Sequence, residues 1–130
     1  MARNIFEIEL TPDYRDQTFR QWLSENGYRA VEFHDGEFEV NLHYGANAIY
    51  HNLKERKGYT TYYKESLAQS LLVFEIQIQA GRMLGECYSP LMIFGFFRKE
   101  LAFKKNASLM APYLKKGFAD MEDLKNTLGA

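Results

Sequence analysis

Apolar and polar residues alternate near the start of the chain, which predicts a strand followed by a helix. The segment 4–10 alternates as a strand with one buried face does, with Phe6, Ile8 and Leu10 on one side and Glu7 and Glu9 on the other. Thr11 can then cap a helix whose first turn holds a proline and acidic residues, which suit the positive end of the helix dipole. Three apolar residues follow at helical spacing, before an Asn-Gly stop: Phe19, Trp22 and Leu23.

The clearest local signal is a pair of alternating segments, 28–34 and 37–44, on either side of Asp35-Gly36. Asp-Gly favours a type I′ turn, which requires positive φ at both central residues, and a two-residue turn fixes the register of its strands. The predicted cross-strand pairs are His34 with Glu37, Phe33 with Phe38, and Val31 with Val40. The sequence therefore predicts a β-hairpin whose apolar face covers the core.

The apolar positions between residues 46 and 79 favour two helices. An apolar stripe followed by a basic last turn and Gly58 predicts the first of them, and the stripe consists of Ile49, Tyr50 and Leu53. Apolar residues in the segment 63–78 recur every three or four positions, which is typical of a helix, although residues 71–79 also alternate as a strand does. We favour the helix and keep the strand as the alternative.

The remaining chain also has helical patterns. Ser89 and Pro90 suit the cap and first turn of a helix that continues to Lys105. A last predicted helix carries four apolar residues: Phe118, Met121, Leu124 and Leu128.

We therefore expect one α+β domain that covers residues 1–130, a length suited to a single core. A small antiparallel sheet, formed by the N-terminal strand and the β-hairpin at 28–44, would pack against several helices, and the C-terminal half would be mainly helical. If residues 71–79 form a strand instead, the element order gives a ferredoxin-like βαββαβ fold with a helical C-terminal extension.

Cysteine content and hydropathy predict a cytoplasmic protein without membrane association. Cys87 is the single cysteine and has no internal disulfide partner, which suits a reducing compartment. No apolar segment typical of a secretory signal follows Met1. The longest apolar run, 91–97, is far shorter than the ~20 residues that span a bilayer.

No combination of residues specifies a catalytic or metal site. His34 and His43 would lie far apart on the predicted hairpin and His51 belongs to another element, so we predict no metal site. Cys87 precedes a predicted helix start, but no histidine follows position 51 in the chain, and we predict a buried thiol rather than a nucleophile. We expect no cofactor and no catalytic residue. A small enzyme with an unrecognised pocket is the second alternative for the function.

A surplus of large apolar side chains indicates an interaction domain. Hydrophobic residues make up 46% of this short chain and aromatic residues 15%, more than we expect a single small core to bury. The candidate interface lies in the longest apolar run and consists of Met92, Phe94, Phe96 and Phe97. The leading hypothesis is a non-catalytic intracellular protein-interaction or regulatory domain that associates with itself, as a homodimer, or with another protein.

The basic, tyrosine-rich segment 54–64 supports an alternative function, a nucleic-acid-binding accessory protein. Its cations would contact phosphates and its rings would stack on the bases of a single strand. The candidate residues are Lys54, Arg56, Lys57, Tyr59, Tyr62 and Lys64. Residues 1–45 carry 4 basic and 9 acidic side chains and residues 46–130 carry 12 basic and 8 acidic ones, so the second part has the charge that an acidic partner would need.

Overall fold

The computed structural model describes residues 3–44, 47–65, 71–88 and 119–129. These residues form seven strands and two helices. In chain order they are β1 (Arg3–Glu9), α1 (Asp16–Glu25), β2 (Arg29–Ala30), β3 (Glu37–Tyr44), β4 (Asn47–Lys54), β5 (Thr60–Glu65), β6 (Leu71–Gln79), β7 (Arg82–Tyr88) and α2 (119–128).

Five of the strands form one antiparallel sheet in the order β1-β7-β6-β5-β2, and β3 pairs with β4 in a separate antiparallel ribbon. A two-residue turn, Ala80-Gly81, joins β6 to β7, and Gly81 takes a positive φ of 75° at the second turn position, where a type II turn favours glycine. The end of α2 meets the end of β1 through an antiparallel bridge between Leu10 and Gly129. The described part of the chain is therefore organised around the five-stranded sheet.

Strand β6 is buried on both faces and separates two apolar clusters. On one face, which we call the helix side, Leu72, Phe74 and Ile76 pack with apolar residues of α1 and α2. On the other face, which we call the hairpin side, Leu71 and Val73 pack with residues of the β3–β4 ribbon. A strand with two buried faces reads as a nearly continuous apolar run, which is what residues 71–76 show.

Aromatic rings fill the helix side of the sheet. Phe74 meets three rings edge to face, at centroid distances of 5.8 Å to Phe6, 6.2 Å to Trp22 and 5.0 Å to Tyr28. Gly85 in β7 makes room for this packing, because a Cβ at that position would lie 2.9 Å from Cδ1 of Ile76 and still closer to the ring of Phe6. The core therefore depends on a glycine within a strand.

The predicted fold class is wrong, because strands replace two of the predicted helices and form most of the described structure. Residues 47–54, predicted as a helix, form β4, and the segment 63–78, for which we favoured a helix, is divided between β5 and β6. The C-terminal half is not mainly helical within the described residues, since β6 and β7 both lie there. The ferredoxin-like alternative is wrong as well, because it requires a helix where β4 runs.

The predicted hairpin is confirmed at its turn and wrong beyond it. Asp35 and Gly36 have φ angles of 53° and 78°, and His34 exchanges two backbone hydrogen bonds with Glu37, as the type I′ turn requires. Three residues before His34, Val31 donates its N–H to Thr61 of β5 instead. The cross-strand partners of β3 accordingly come from β4, with Phe38 opposite Leu53 and Val40 opposite His51.

The predictions for the first strand and the last helix are confirmed, and the first helix is present but begins later than predicted. Thr11 does not cap it, because α1 begins at Asp16 with Arg15 at the N-cap. Strand β1 covers residues 3–9, and the predicted apolar stripe of α1 is buried against the sheet. The three described residues of the stripe on α2 are also buried, namely Met121, Leu124 and Leu128. Phe118 and the helix predicted from Ser89 to Lys105 lie outside the described residues.

Candidate interaction surface

Strand β1 forms an edge of the five-stranded sheet and presents an exposed apolar side chain. Within the described part of the chain β1 pairs with β7 alone, so its other edge carries backbone N–H and C=O groups without a strand partner. Phe6 and Ile8 point to the helix side and are buried there, which places Ile5 and Glu7 on the hairpin side. Ile5 is 77% exposed, the highest value among the large apolar side chains of the described residues.

The β1 edge has few of the features that prevent strand addition. Its pairing with β7 runs without a bulge over all seven residues, and the strand contains no proline. Positions 3, 7 and 9, on the same face as Ile5, are charged residues, and the side chain of Glu7 is 50% exposed and forms an ion pair with Arg82 at 3.0 Å. A straight strand of this kind can accept another strand along its length.

An ionic cluster lies on the hairpin side, in the middle of the sheet. Glu75 of β6 and Glu86 of β7 stand directly opposite one another, with side chains only 4% and 14% exposed. The guanidinium of Arg56 bridges the two carboxylates, at 3.6 Å from Glu75 and 2.9 Å from Glu86, and stacks on the ring of Tyr59 at 3.9 Å. The hydroxyl of Tyr88 donates to Glu75 at 3.4 Å. This cluster connects the β4–β5 loop to the sheet.

A second polar cluster, on the helix side, holds α2 in place. The Nζ atom of Lys64 lies 2.7 Å from the carboxylate of Asp120, and both side chains are almost fully buried. The hydroxyl of Tyr28 donates to the same carboxylate at 2.6 Å, and burial together with this hydrogen bond raises the pKa of Tyr28 far above its usual range. The indole N–H of Trp22 donates to Asp123 at 2.7 Å, one turn further along the helix.

Cys87 is a buried free thiol beside this second cluster, as the sequence predicts. Burial, and secondarily the charge of Asp120, raises its pKa from 9.0 to about 12. A thiol with such a pKa stays protonated at neutral pH and is a poor nucleophile. Its position therefore supports a structural role.

The raised pKa of Cys87 predicts a loss of stability at alkaline pH. The thiol of the unfolded chain ionises as the pH rises above 9, whereas the folded chain keeps its proton until about pH 12, so ionisation favours unfolding between these values. We expect the free energy of unfolding to fall more steeply over this range in the unmodified protein than in Cys87→Ala, as measured by urea denaturation at a series of pH values. Parallel curves for the two proteins would contradict the assignment.

Two open clefts of about 510 and 530 Å³ flank Arg20 and Tyr62 beside α1. The first continues over Asp16, Gln77 and the end of β6, and the second runs along β2. Neither is lined by a histidine or a cysteine. The clefts offer a mixed apolar and polar surface without a nucleophile and base in contact.

The structure separates the six residues predicted to bind nucleic acid. Lys54 and Lys57 are exposed, and Lys54 forms a surface ion pair with Glu37 at 3.6 Å. Arg56 and Tyr59 belong to the ionic cluster on the hairpin side. Tyr62 and Lys64 lie on the opposite face, where Tyr62 packs on Phe19 and Lys64 pairs with Asp120. Nucleic-acid binding stays a prediction.

The other sequence-predicted positions fall partly outside the described residues. Met92, Phe94, Phe96 and Phe97, the predicted interface, all lie there. His34 is exposed and His51 is 2% exposed, and the described residues contain no group of three side chains arranged to hold a metal ion. Neither helix of the described chain is long and apolar enough to cross a bilayer.

Ile5 is the surface residue that the sequence interpretation overlooked. It occupies the face of β1 that otherwise carries charged residues, so an apolar side chain breaks the alternation there. That break in the pattern is the sequence signal that could have identified it.

Comparison of the chain with models of protein families, with curated proteins and with solved structures gives no match. The surfaces are therefore interpreted from their own geometry.

Proposed function

We propose that this chain is a non-catalytic protein-interaction domain that associates with itself and works in the cytoplasm. The observation that carries the proposal is the β1 edge, where backbone groups that have no strand partner among the described residues lie beside the exposed Ile5. Edges of this kind are templates for pairing with a second chain. The buried free thiol of Cys87 is compatible with a reducing compartment.

The environments of the buried ionisable groups support a structural rather than a catalytic role. Lys64 and Asp120 join α2 to the sheet, and Arg56 joins the β4–β5 loop to two glutamates. Cys87 is kept protonated by burial. Catalytic groups are usually found in a cleft with access to a substrate, and these groups lie instead between packed elements.

Self-association is tested by measuring the molar mass of the chain in solution over a wide range of concentrations. We expect a reversible, concentration-dependent change from the monomer of 15.2 kDa to about twice that mass, because a contact built on one strand edge buries a small area. Light scattering coupled to size exclusion, together with sedimentation equilibrium, gives this mass directly. A monomer at every concentration would overturn the proposal.

A further inference from the structure

We infer that two copies associate by antiparallel pairing of β1 with β1 of the second copy, with Ile5 on the two-fold axis. This inference rests on the proposed self-association and specifies its surface, its partner and its register. The observations behind it are the backbone edge of β1, the 77% exposure of Ile5 and the order of charges along the strand.

Symmetry limits the registers that such a pair can adopt. A two-fold axis perpendicular to the sheet keeps the two faces of the sheet distinct in both copies, and residues that stand opposite each other in an antiparallel pair share a face. One residue of β1 must therefore stand directly opposite the same residue of the second copy, with the axis passing midway between the two. Only a few positions near the middle of β1 leave enough residues on both sides to pair.

Charge and hydropathy select one of these positions. An axis through Ile5 places the two isoleucines opposite one another and puts position 3, an arginine, opposite Glu7 twice. An axis through Phe6 places Ile5 opposite Glu7, and an axis through Glu7 brings two carboxylates together. An axis through Asn4 places Ile5 opposite an arginine. The axis through Phe6 also brings position 3 opposite Glu9, but each of these three alternatives leaves the exposed Ile5 opposite a charged residue. The register centred on Ile5 is the one that gives Ile5 an apolar partner.

The inferred dimer has a defined architecture. The two five-stranded sheets become one continuous sheet of ten strands with the two β1 strands at its centre. Because the axis is perpendicular to the sheet, both copies place α1 and α2 on the same side and the β3–β4 ribbon on the other. The exposed edge of each β1 is then covered by β1 of the other copy, so no edge remains there for the addition of a further strand.

Cysteine cross-linking tests the register. In Ile5→Cys the two new thiols would face each other across the axis, with Cα atoms ~4.5 to 5.5 Å apart as in any directly opposed antiparallel pair, a distance that a disulfide can span. Glu9→Cys is the matched control, since position 9 lies on the same face of the same strand but about 27 Å from its symmetry mate, eight residue steps of ~3.3 Å away. We expect nearly complete covalent dimer from the first variant under mild oxidation and none from the second. Cys87 is 1% exposed and should not interfere.

A charge substitution provides an independent measurement. Ile5→Lys places two like charges on the axis and is expected to leave only monomer at concentrations where the unmodified chain is a dimer. Ile78→Lys is the control, because Ile78 is also an exposed isoleucine in a strand but lies on the helix side of β6. It should retain the dimer.

The outcomes separate the inference from the proposed function. A dimer that cross-links through position 5 and dissociates in Ile5→Lys supports both. A dimeric mass that Ile5→Lys leaves unchanged, or equal cross-linking through positions 5 and 9, overturns the register while self-association stands. A chain that is monomeric throughout overturns both.

Discussion

Replacing Asp120 with alanine is expected to lower the free energy of unfolding by about 3 to 5 kcal/mol, the range typical of breaking a buried ion pair by removing one partner. The carboxylate of Asp120 accepts from Lys64 at 2.7 Å and from Tyr28 at 2.6 Å, and the two charged side chains are 11% and 5% exposed. Without the carboxylate, the Lys64 ammonium stays in a largely apolar site with the backbone oxygen of Asn26 as its remaining hydrogen-bond acceptor. Urea denaturation followed by circular dichroism measures the change.

Two further variants show whether the effect belongs to the buried pair. Glu122→Ala also removes a carboxylate from α2, but this side chain is 63% exposed and pairs with Lys125 at 3.7 Å. We therefore expect the free energy of unfolding to change by no more than about 0.5 kcal/mol. Lys64→Met combined with Asp120→Leu removes both charges together, and we expect it to be less destabilised than Asp120→Ala. Equal stability of Asp120→Ala and Glu122→Ala would contradict this account of how α2 is held.

Replacing Arg56 with methionine is expected to lower the free energy of unfolding by about 2 to 3 kcal/mol. The substitution removes the cation between Glu75 and Glu86, which face each other on neighbouring strands and are largely buried. Two opposed like charges destabilise a pair of strands. The expected loss is smaller than for Asp120 because the Arg56 side chain is 40% exposed and water screens part of the interaction.

The control for Arg56 is its neighbour in the chain. Lys57 is exposed, so Lys57→Met should change the free energy of unfolding by less than about 0.5 kcal/mol in the same denaturation assay. Adding Glu86→Gln to Arg56→Met should recover part of the lost stability, since it removes one of the two opposed charges. If Arg56→Met proves as stable as Lys57→Met, the ionic cluster does not hold the β4–β5 loop. Because a substitution of Arg56 changes the stability of the fold as well as the surface charge, nucleic-acid binding is better tested at Lys54 and Lys57.

Elements whose signals are local could be predicted from the sequence. The Asp35-Gly36 turn forms because its two residues tolerate positive φ wherever the flanking strands go. Helix α1 and the end of α2 have apolar stripes that contact a single surface, so their helical periodicity is unambiguous. In these segments local preference and tertiary packing agree.

The helix favoured for residues 47–54 and the one favoured for 63–78 are both wrong, whereas the alternative strand at 71–79 is confirmed as β6. Distant partners decide the conformation of both segments. Ile49, Tyr50 and Leu53 fit a helical stripe, yet β4 buries His51 and Leu53 on one side and exposes Tyr50, since β3 provides hydrogen bonds along its whole length. Strand β6 is covered on both faces at residues 71–74, which are therefore all apolar and fit a helix as well as a strand. Alternation is present in residues 74–79 alone, and that short signal was outweighed by the helical spacing.

The hairpin prediction failed for a related reason. The turn determines only the pair next to it, and β5 provides a second edge to which residues 29–31 bind instead of continuing along β3. Val31, Phe33, Phe38 and Val40 nevertheless pack into one apolar cluster, as their alternation predicts. Hydropathy predicted which side chains are buried together, whereas the choice of strand partner depended on residues far away in the chain.

The position of Trp22 gives the protein a built-in optical reporter. Trp22 is the single tryptophan, its ring stacks on Tyr28 at a centroid distance of 5.6 Å, and its indole donates to α2. Its fluorescence will therefore respond when α2 loosens from the sheet, because the indole then gains access to water. Events confined to the opposite face of β6 should leave the emission spectrum unaltered, so the two sides of the sheet can be followed separately without an added label.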